Sequence, residues 1–216
     1  MIRKRSGLVD PASAASEAFR TLRLALQLRS DAQSGNVIVV TSAEPGAGKS
    51  TVASNFAMVS SMLPGRTLLV DADLRNPSID EIFDLPRSPG LVDLLAAGSG
   101  IEHFVHSVPG AGHLDVLTAG RPIPRASDLA ASPNMAQALR DASEAYDLVV
   151  VDTAPVLAAS DAEGLASHPG VAVVVVTRPK TTGRHIVKLM RRFELIEANV
   201  AGFVLNHRGR TRAYGY

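Results

Sequence analysis

Cysteine and tryptophan are both absent from this chain of 216 residues. Without thiols it has no disulfide, no thiolate metal site and no cysteine nucleophile, and a reducing compartment suits it. An excess of one charge is missing too. Lysine and arginine number 22 against 21 acidic residues, so the net charge of +1 gives no strong field to gather nucleic acid. No apolar run approaches the ~20 residues that a membrane-spanning helix needs. The first residues, Met1-Ile2-Arg3-Lys4-Arg5-Ser6, carry charge with no apolar core after them, so no signal peptide is expected. A cytoplasmic location follows, and any work at the inner face of a membrane would need a partner or a fused segment. What is present is globular: 46% hydrophobic and 20% charged residues, enough for one sizeable α/β domain.

Along the chain, apolar strands alternate with helical patterns. Residues 1–12 read as a loose basic arm. Over 13–30, Phe19, Leu22 and Leu26 recur at helical spacing. A strand at 37–42 leads into a glycine-rich turn, then a helix with Val52, Phe56, Val59 and Leu63 on one stripe, ended by Pro64-Gly65. A strand at 67–71 follows. Residues 74–112 are looser, with a short helix near Leu91–Ala97, and Leu114–Leu117 is a short strand. After a loop at 120–128, a helix near 132–145 precedes the apolar strand Tyr146–Asp152. Val171–Thr177 is a buried strand, Ile186, Leu189, Met190 and Phe193 mark a last long helix, and Val200–Asn206 is the last strand. Near-continuous apolar strands between helices predict a mostly parallel sheet covered on both faces. One domain over 1–216 is the economical reading, with a basic tail at 207–216.

Ala43-Glu44-Pro45-Gly46-Ala47-Gly48-Lys49-Ser50 sits between strand and helix, the context that a phosphate-binding P-loop requires. Pro45, Gly46, Ala47, Gly48, Lys49, Ser50 and Thr51 are the candidate nucleotide contacts. Glycines let backbone N–H groups close around phosphate oxygens, and the helix N-terminus adds partial positive charge. Lys49 would reach the β- and γ-phosphates, and the Ser50 hydroxyl would ligate Mg2+. Ala43 stands where the pattern usually has glycine. Two more strands end in carboxylates. Leu68–Arg75 ends Asp71-Ala72-Asp73-Leu74-Arg75, and Leu148–Pro155 ends Asp152-Thr153-Ala154-Pro155. In open α/β sheets ligands sit at the carboxyl ends of strands. Asp152 is therefore a candidate metal holder. Asp71 and Asp73 can divide metal contact and proton acceptance from an attacking hydroxyl, and Arg75 can help neutralise phosphate charge.

With these motifs the chain resembles the cytoplasmic catalytic domain of the bacterial tyrosine kinases of capsule and exopolysaccharide synthesis. The matching signatures are Pro-Gly-Ala-Gly-Lys-Ser, Asp-Ala-Asp-Leu-Arg, Asp-Thr-Ala-Pro, and the early helix Glu17-Ala-Phe-Arg20-Thr-Leu-Arg23. The resemblance implies a P-loop NTPase fold, with ATP and Mg2+ at the site. It implies catalysis through Lys49, Asp71, Asp73 and Asp152, with Asp71 or Asp73 as base and Ser50, Asp71 and Asp152 around the metal. It further implies a homo-oligomeric ring built through Glu17, Arg20 and Arg23, with autophosphorylation between subunits on C-terminal tyrosines. Of the three tyrosines, Tyr146 opens an apolar strand and reads as structural, leaving Tyr214 and Tyr216 as acceptors. A transmembrane polysaccharide co-polymerase would be the activator, and a tyrosine phosphatase would oppose the kinase.

The tail is shorter and poorer in tyrosine than is usual in the family, and Arg125-Ala126 stands where the family has Asn-Pro. Asn206 resembles the adenine-contacting asparagine of related P-loop ATPases. A strand-end asparagine with a purely local role is equally expected. Two other readings stay open. A positioning or partitioning ATPase would carry a lysine five residues before Lys49, where this chain has Glu44. A nucleotide-binding scaffold would assemble without phosphorylating. His103 and His106 lack further ligands to complete a metal set. The basic stretch Arg178, Lys180, Arg184, Lys188, Arg191 and Arg192 reads first as a solvated face.

Overall fold

A computed structural model describes residues 7–10, 13–29, 35–98, 100–123, 129, 132–158, 165, 171–177 and 181–206. In chain order the elements are α1 (Ala14–Arg29), β1 (Val37–Ser42), α2 (Lys49–Ser60), β2 (Thr67–Ala72), α3 (Ile79–Phe83) and α4 (Leu91–Ala97). After them come β3 (His106–Ser107), β4 (Leu114–Leu117), α5 (Pro133–Ala145), β5 (Leu148–Thr153), β6 (Val171–Val176), α6 (Gly183–Leu195) and β7 (Val200–Leu205). The strands form one sheet in the order β3-β4-β2-β5-β1-β6-β7. All neighbours run parallel except the short β3, which pairs antiparallel to β4.

The apolar runs explain the layers. In a strand, alternate residues face opposite sides. Ile38, Val40, Leu69 and Val150 pack with Val52 and Phe56 of α2 and Ile79 and Phe83 of α3, with Leu26 of α1 joining them. Val37, Val39, Leu68, Val70, Val149 and Val151 pack on the other face with Leu91 and Leu94 of α4 and Met135 and Leu139 of α5. At the β6 end, Ala172 and Val174 meet Leu189 and Phe193 of α6. The central strands are buried on both sides, as parallel sheets require. β5 lies between β1 and β2, in a register that sets Val40 and Asp71 opposite Asp152. The loops after β1, β2 and β5 therefore meet at one rim.

Local caps sharpen the helix starts. Ser132 accepts the Met135 N–H and Pro133 opens α5, a position where its missing N–H costs nothing. Four expectations change. Residues 7–10 are not a loose arm: Val9 N–H donates to Asn55 Oδ1 at 2.6 Å, and Asn55 Nδ2 donates to the Gly7 carbonyl at 2.9 Å. The helix after the glycine-rich turn stops at Ser60, and Leu63 is exposed beyond it. Ser61 caps the helix, its N–H still donating to the Ala57 carbonyl, while its Oγ donates to the Ala111 carbonyl and its own carbonyl accepts the His113 N–H instead of continuing the helical ladder. The looser segment holds a second short helix, α3, and the edge strand β3, both too short to leave a periodic signal. Tyr146 caps α5, and β5 begins two residues later.

Candidate active site

The glycine-rich turn carries φ angles of 73° at Gly46 and 92° at Gly48, the left-handed region that other residues avoid. Gly48 is also the N-cap of α2. A Cβ there would also meet the Asn206 amide, which would have to give up its place against the loop. Asn206, at the end of β7, donates from Nδ2 to the Ala47 carbonyl at 2.9 Å and ties the loop to the sheet. Pro45, Gly46 and Thr51 are exposed, while Ala47 and Lys49 are buried. Lys49 turns inward and pairs with Asp73, Nζ to Oδ2, at 3.4 Å.

The three carboxylates are fully or almost fully buried: Asp71 0%, Asp73 2% and Asp152 0% exposed. Their partners differ. Asp71 Oδ2 accepts the N–H groups of Ser78 at 3.1 Å and Ile79 at 3.0 Å, and so holds the start of α3. Its Oδ1 accepts from the Asp73 N–H at 3.3 Å. Asp73 Oδ1 accepts from the Asn76 N–H at 3.1 Å. Asp152 has no hydrogen-bonded partner on either oxygen. Burial pushes the Asp152 carboxyl up to about 7, and the positive charge of Lys49 and the nearby Ser50 hydroxyl draw it part of the way back. Burial and the adjacent Asp152 likewise hold the Asp71 carboxyl well above the usual carboxylate range, against the pull of its two backbone donors.

A buried carboxylate with both oxygens unpartnered is costly in isolation. It is what a cation site needs, and the donor set fits magnesium, a hard ion that takes oxygen ligands and keeps several waters. Ser50 and Asp152 would hold it, with Asp71 and Asp73 behind. Arg75, two residues past Asp73, is exposed on the rim. Glu44 at the loop entrance pairs with His185 Nδ1 at 2.9 Å, a contact that no spacing in the sequence announces.

The remaining expected positions fall elsewhere. Glu17 and Arg20 form an exposed pair at 2.8 Å on α1. Arg23 instead turns inward and donates to the Ser60 carbonyl at 2.6 Å, clamping α1 to the end of α2. His103 sits beside Glu102 at 3.6 Å, and His106 Nε2 lies 2.8 Å from the Pro89 carbonyl. Tyr214, Tyr216, Arg125, Ala126, Arg178 and Lys180 lie outside the described residues.

The parallel sheet, the left-handed glycines and the buried lysine among carboxylates define a P-loop nucleotide-binding protein. The family profile described as ParA, NUBPL iron-transfer P-loop NTPase, matches residues 33–212. The tyrosine-protein kinase YwqD of Bacillus subtilis (strain 168) is 34% identical over 218 residues, covering 100% of this chain and 92% of that protein. The putative tyrosine-protein kinase EpsB of Ralstonia solanacearum is 37% identical over 203 residues, 93% of this chain but only 27% of the longer relative. The kinase domain of the Escherichia coli tyrosine kinase ETK superposes with a TM-score of 0.86 at 32% identity, over 99% of this chain and 87% of that one. A ParA family ATPase from Chlorobium tepidum TLS, at 19% identity and a TM-score of 0.67, shares the fold alone. The chain belongs to the bacterial tyrosine-protein kinase family.

Among the described residues no helix is long and apolar enough to cross a membrane.

Proposed function

We propose that this chain is an ATP-dependent protein-tyrosine kinase that phosphorylates Tyr214 and Tyr216 between subunits. The tyrosine oxygen attacks the γ-phosphorus, the bond to the β,γ-bridging oxygen breaks, ADP leaves, and the phenolic proton passes to a carboxylate. The observation that carries this reading is the buried, unpartnered Asp152 beside a Lys49–Asp73 pair at the mouth of a P-loop. Lys49 neutralises phosphate charge, and bound magnesium supplies further charge neutralisation. In this reading Asp71, whose proton affinity is raised, or Asp73 takes the proton. Asn206, already on the P-loop backbone, sets the loop's shape and borders the space for the base of the nucleotide.

In this reading Glu17 and Arg20 face a neighbouring subunit in a ring. Arg23 supports that helix from within the chain. A transmembrane polysaccharide co-polymerase brings the ring to the inner face of the membrane and activates it, and a tyrosine phosphatase reverses it. The cycle regulates capsule or exopolysaccharide assembly. The partitioning-ATPase reading is supported by the shared fold, but the position it needs as lysine is Glu44, already paired with His185.

The test is mass spectrometry of the tail after incubation with labelled ATP, with and without magnesium and a partner's cytoplasmic segment. Labelled Tyr214 or Tyr216, dependent on magnesium, is the expected result. Phosphate release with no labelled tyrosine would favour the ATPase.

A further inference from the structure

The glycine-rich turn is held both from its own strand and from far along the chain. Ser42 Oγ donates to the Glu44 carbonyl at 2.7 Å, which fixes the backbone where the loop leaves β1. The chain then passes through Pro45 and Gly46, both exposed, with Gly46 in the left-handed region. Two side chains from the last third of the sequence grip the loop on either side of this turn. Asn206, at the end of β7, holds the Ala47 carbonyl, and His185, in the first turn of α6, meets Glu44 Oε1 with Nδ1 at 2.9 Å.

The Glu44 side chain is 26% exposed. Its second oxygen, Oε2, is buried and has no hydrogen-bonded partner. Among the described residues, His185 therefore supplies the directional hold on this carboxylate. Without it, both oxygens would lack a partner, and the side chain would have to turn toward water. The backbone of the loop entrance would turn with it, and so would the amides that must face the phosphates.

His185 Nδ1 stands between two claims. A carboxylate only accepts, so the contact with Glu44 puts a proton on Nδ1. The same nitrogen lies 3.4 Å from Thr182 N, a donor, for which it would need a lone pair instead. Thr182 is the N-cap of α6, and its Oγ1 accepts the His185 N–H at 3.4 Å. His185 occupies the third helical position, where Glu or Gln ordinarily reaches back to the N-cap N–H and closes a capping box. One nitrogen cannot donate and accept at once. The shorter contact is the one to Glu44, so His185 serves the loop and leaves its own helix cap incomplete. Local rules are broken in this way at functional sites.

We propose that His185 is a positioning residue for nucleotide binding, which holds Glu44 and so presets the P-loop for the phosphates. The proposal rests on the nucleotide-binding half of the kinase reading. It acts on affinity rather than on the chemical step. The reacting groups are held by other contacts, Lys49 by Asp73, and Asp71 by the Ser78 and Ile79 amides. A loop that must be ordered at the moment of binding weakens binding, and once the phosphates are in place the loop has the same shape.

The test uses the full chain. Isothermal titration calorimetry with ATP and Mg2+ gives Kd without turnover, and tyrosine labelling gives KM and kcat. His185→Ala and Glu44→Ala are each expected to raise Kd and KM for ATP about five- to tenfold, with kcat within about twofold of wild type. The double variant should be no weaker than either single one, because all three lose the same contact. His185→Gln should recover most of the affinity, since its amide nitrogen can donate to Glu44 while its oxygen accepts from Thr182. His185→Glu completes the capping box but sets like charge against Glu44, so α6 keeps its start while affinity falls at least as far as in His185→Ala. In the ligand-free protein above neutral pH, nitrogen NMR of the histidine ring should find the proton on Nδ1, and should find it moved to Nε2 in Glu44→Ala.

An unchanged Kd in both single variants overturns the proposal. So does a double variant as weak as the product of the singles, a fall in kcat at constant KM, or a wild-type ring with no proton on Nδ1. His185→Gln no better than His185→Ala overturns it as well, because a donor at that position would then not be what the loop requires. If Kd shifts as expected and no tyrosine is labelled, the kinase reading falls and His185 keeps its place. If tyrosines are labelled and no variant alters Kd, the kinase reading stands and the proposal falls.

Discussion

The two ends of the sheet treat a strand carboxylate in opposite ways. At the amino ends, Asp115 on β4 accepts from Ser107 Oγ at 2.7 Å and Tyr146 Oη at 3.0 Å, and faces Arg66 at 3.5 Å. Arg66 also stacks 4.4 Å above the Tyr146 ring, while its N–H donates to Asp147 Oδ2 at 2.7 Å. Burial, with Asp115 beside it, holds the Tyr146 phenol above its ordinary value, which makes it a poor nucleophile. At the carboxyl ends Asp152 has no partner of hydrogen-bond geometry on either oxygen, only the nearby charge of Lys49 and the Ser50 hydroxyl. The first end spends its polar groups on each other and holds strands together. The second leaves a charged group unsatisfied at a cost in stability, the state expected of a site whose partners arrive from outside.

The strongest way to break this contrast is at the carboxyl rim. Lys49→Met is expected to reduce tyrosine phosphorylation by about a thousandfold or more, with the circular dichroism spectrum unchanged; retained activity would remove the P-loop from the mechanism.

Asp152→Asn tests the cost directly. It replaces a buried, unpartnered charge with a neutral group of the same shape. The ligand-free protein should gain roughly 2–4 kcal/mol at pH 8, read by urea denaturation, while magnesium-dependent ATP binding is lost.

The same residue sets a pH dependence. A carboxyl at about 7 in the folded protein and about 4 in the unfolded chain binds more protons when folded between those values. Stability therefore falls as pH rises from about 4 to about 7, opposite in sign to a salt-bridged aspartate. Raised Asp71 adds in the same direction. The decline should flatten in Asp152→Asn and in wild type saturated with magnesium and ATP. A melting temperature indifferent to pH in ligand-free wild type would sink the account.

At the amino ends the effects should be smaller and confined to stability. Tyr146→Phe removes one hydrogen bond to a charged acceptor and should cost about 1–3 kcal/mol, with the Kd for ATP unchanged. On α1 the division is finer still. Arg23→Ala should cost about 1 kcal/mol, since it frees α1 from the end of α2. Glu17→Ala with Arg20→Ala, an exposed pair, should change stability by only a few tenths of a kcal/mol, yet lower the mass read by light scattering. An unchanged mass would remove α1 as the ring contact.

Much of the rim was readable from residue order. Strand, glycine-rich turn and Lys49-Ser50 are contiguous, and each of Asp71, Asp73 and Asp152 ends an apolar run that a parallel sheet must bury. The pairing of Glu44 with His185, the grip of Asn206 on Ala47, and the donation of Ser78 and Ile79 to Asp71 were not readable. Those partners are separated in the chain by 141, 159 and up to eight residues, and no periodicity links them. Arg23 shows the same limit: a charged residue on an amphipathic helix reads as solvated, and only packing against α2 turned it inward.

The amino-acid sequence by itself determined which groups could do chemistry and at which strand ends they would stand, because burial on both faces forces apolar runs into the middle of a parallel sheet. Tertiary structure alone decided how each polar group is satisfied: Asp71 by backbone amides, Asp73 by Lys49, Asp115 by a tyrosine, and Asp152 only by the nearby charge of Lys49 and the Ser50 hydroxyl. That choice depends on where β1, β2 and β5 are set side by side and which turns close over them. Hydrogen bonds are made between neighbours in space, and the strand order, not the chain order, says who the neighbours are.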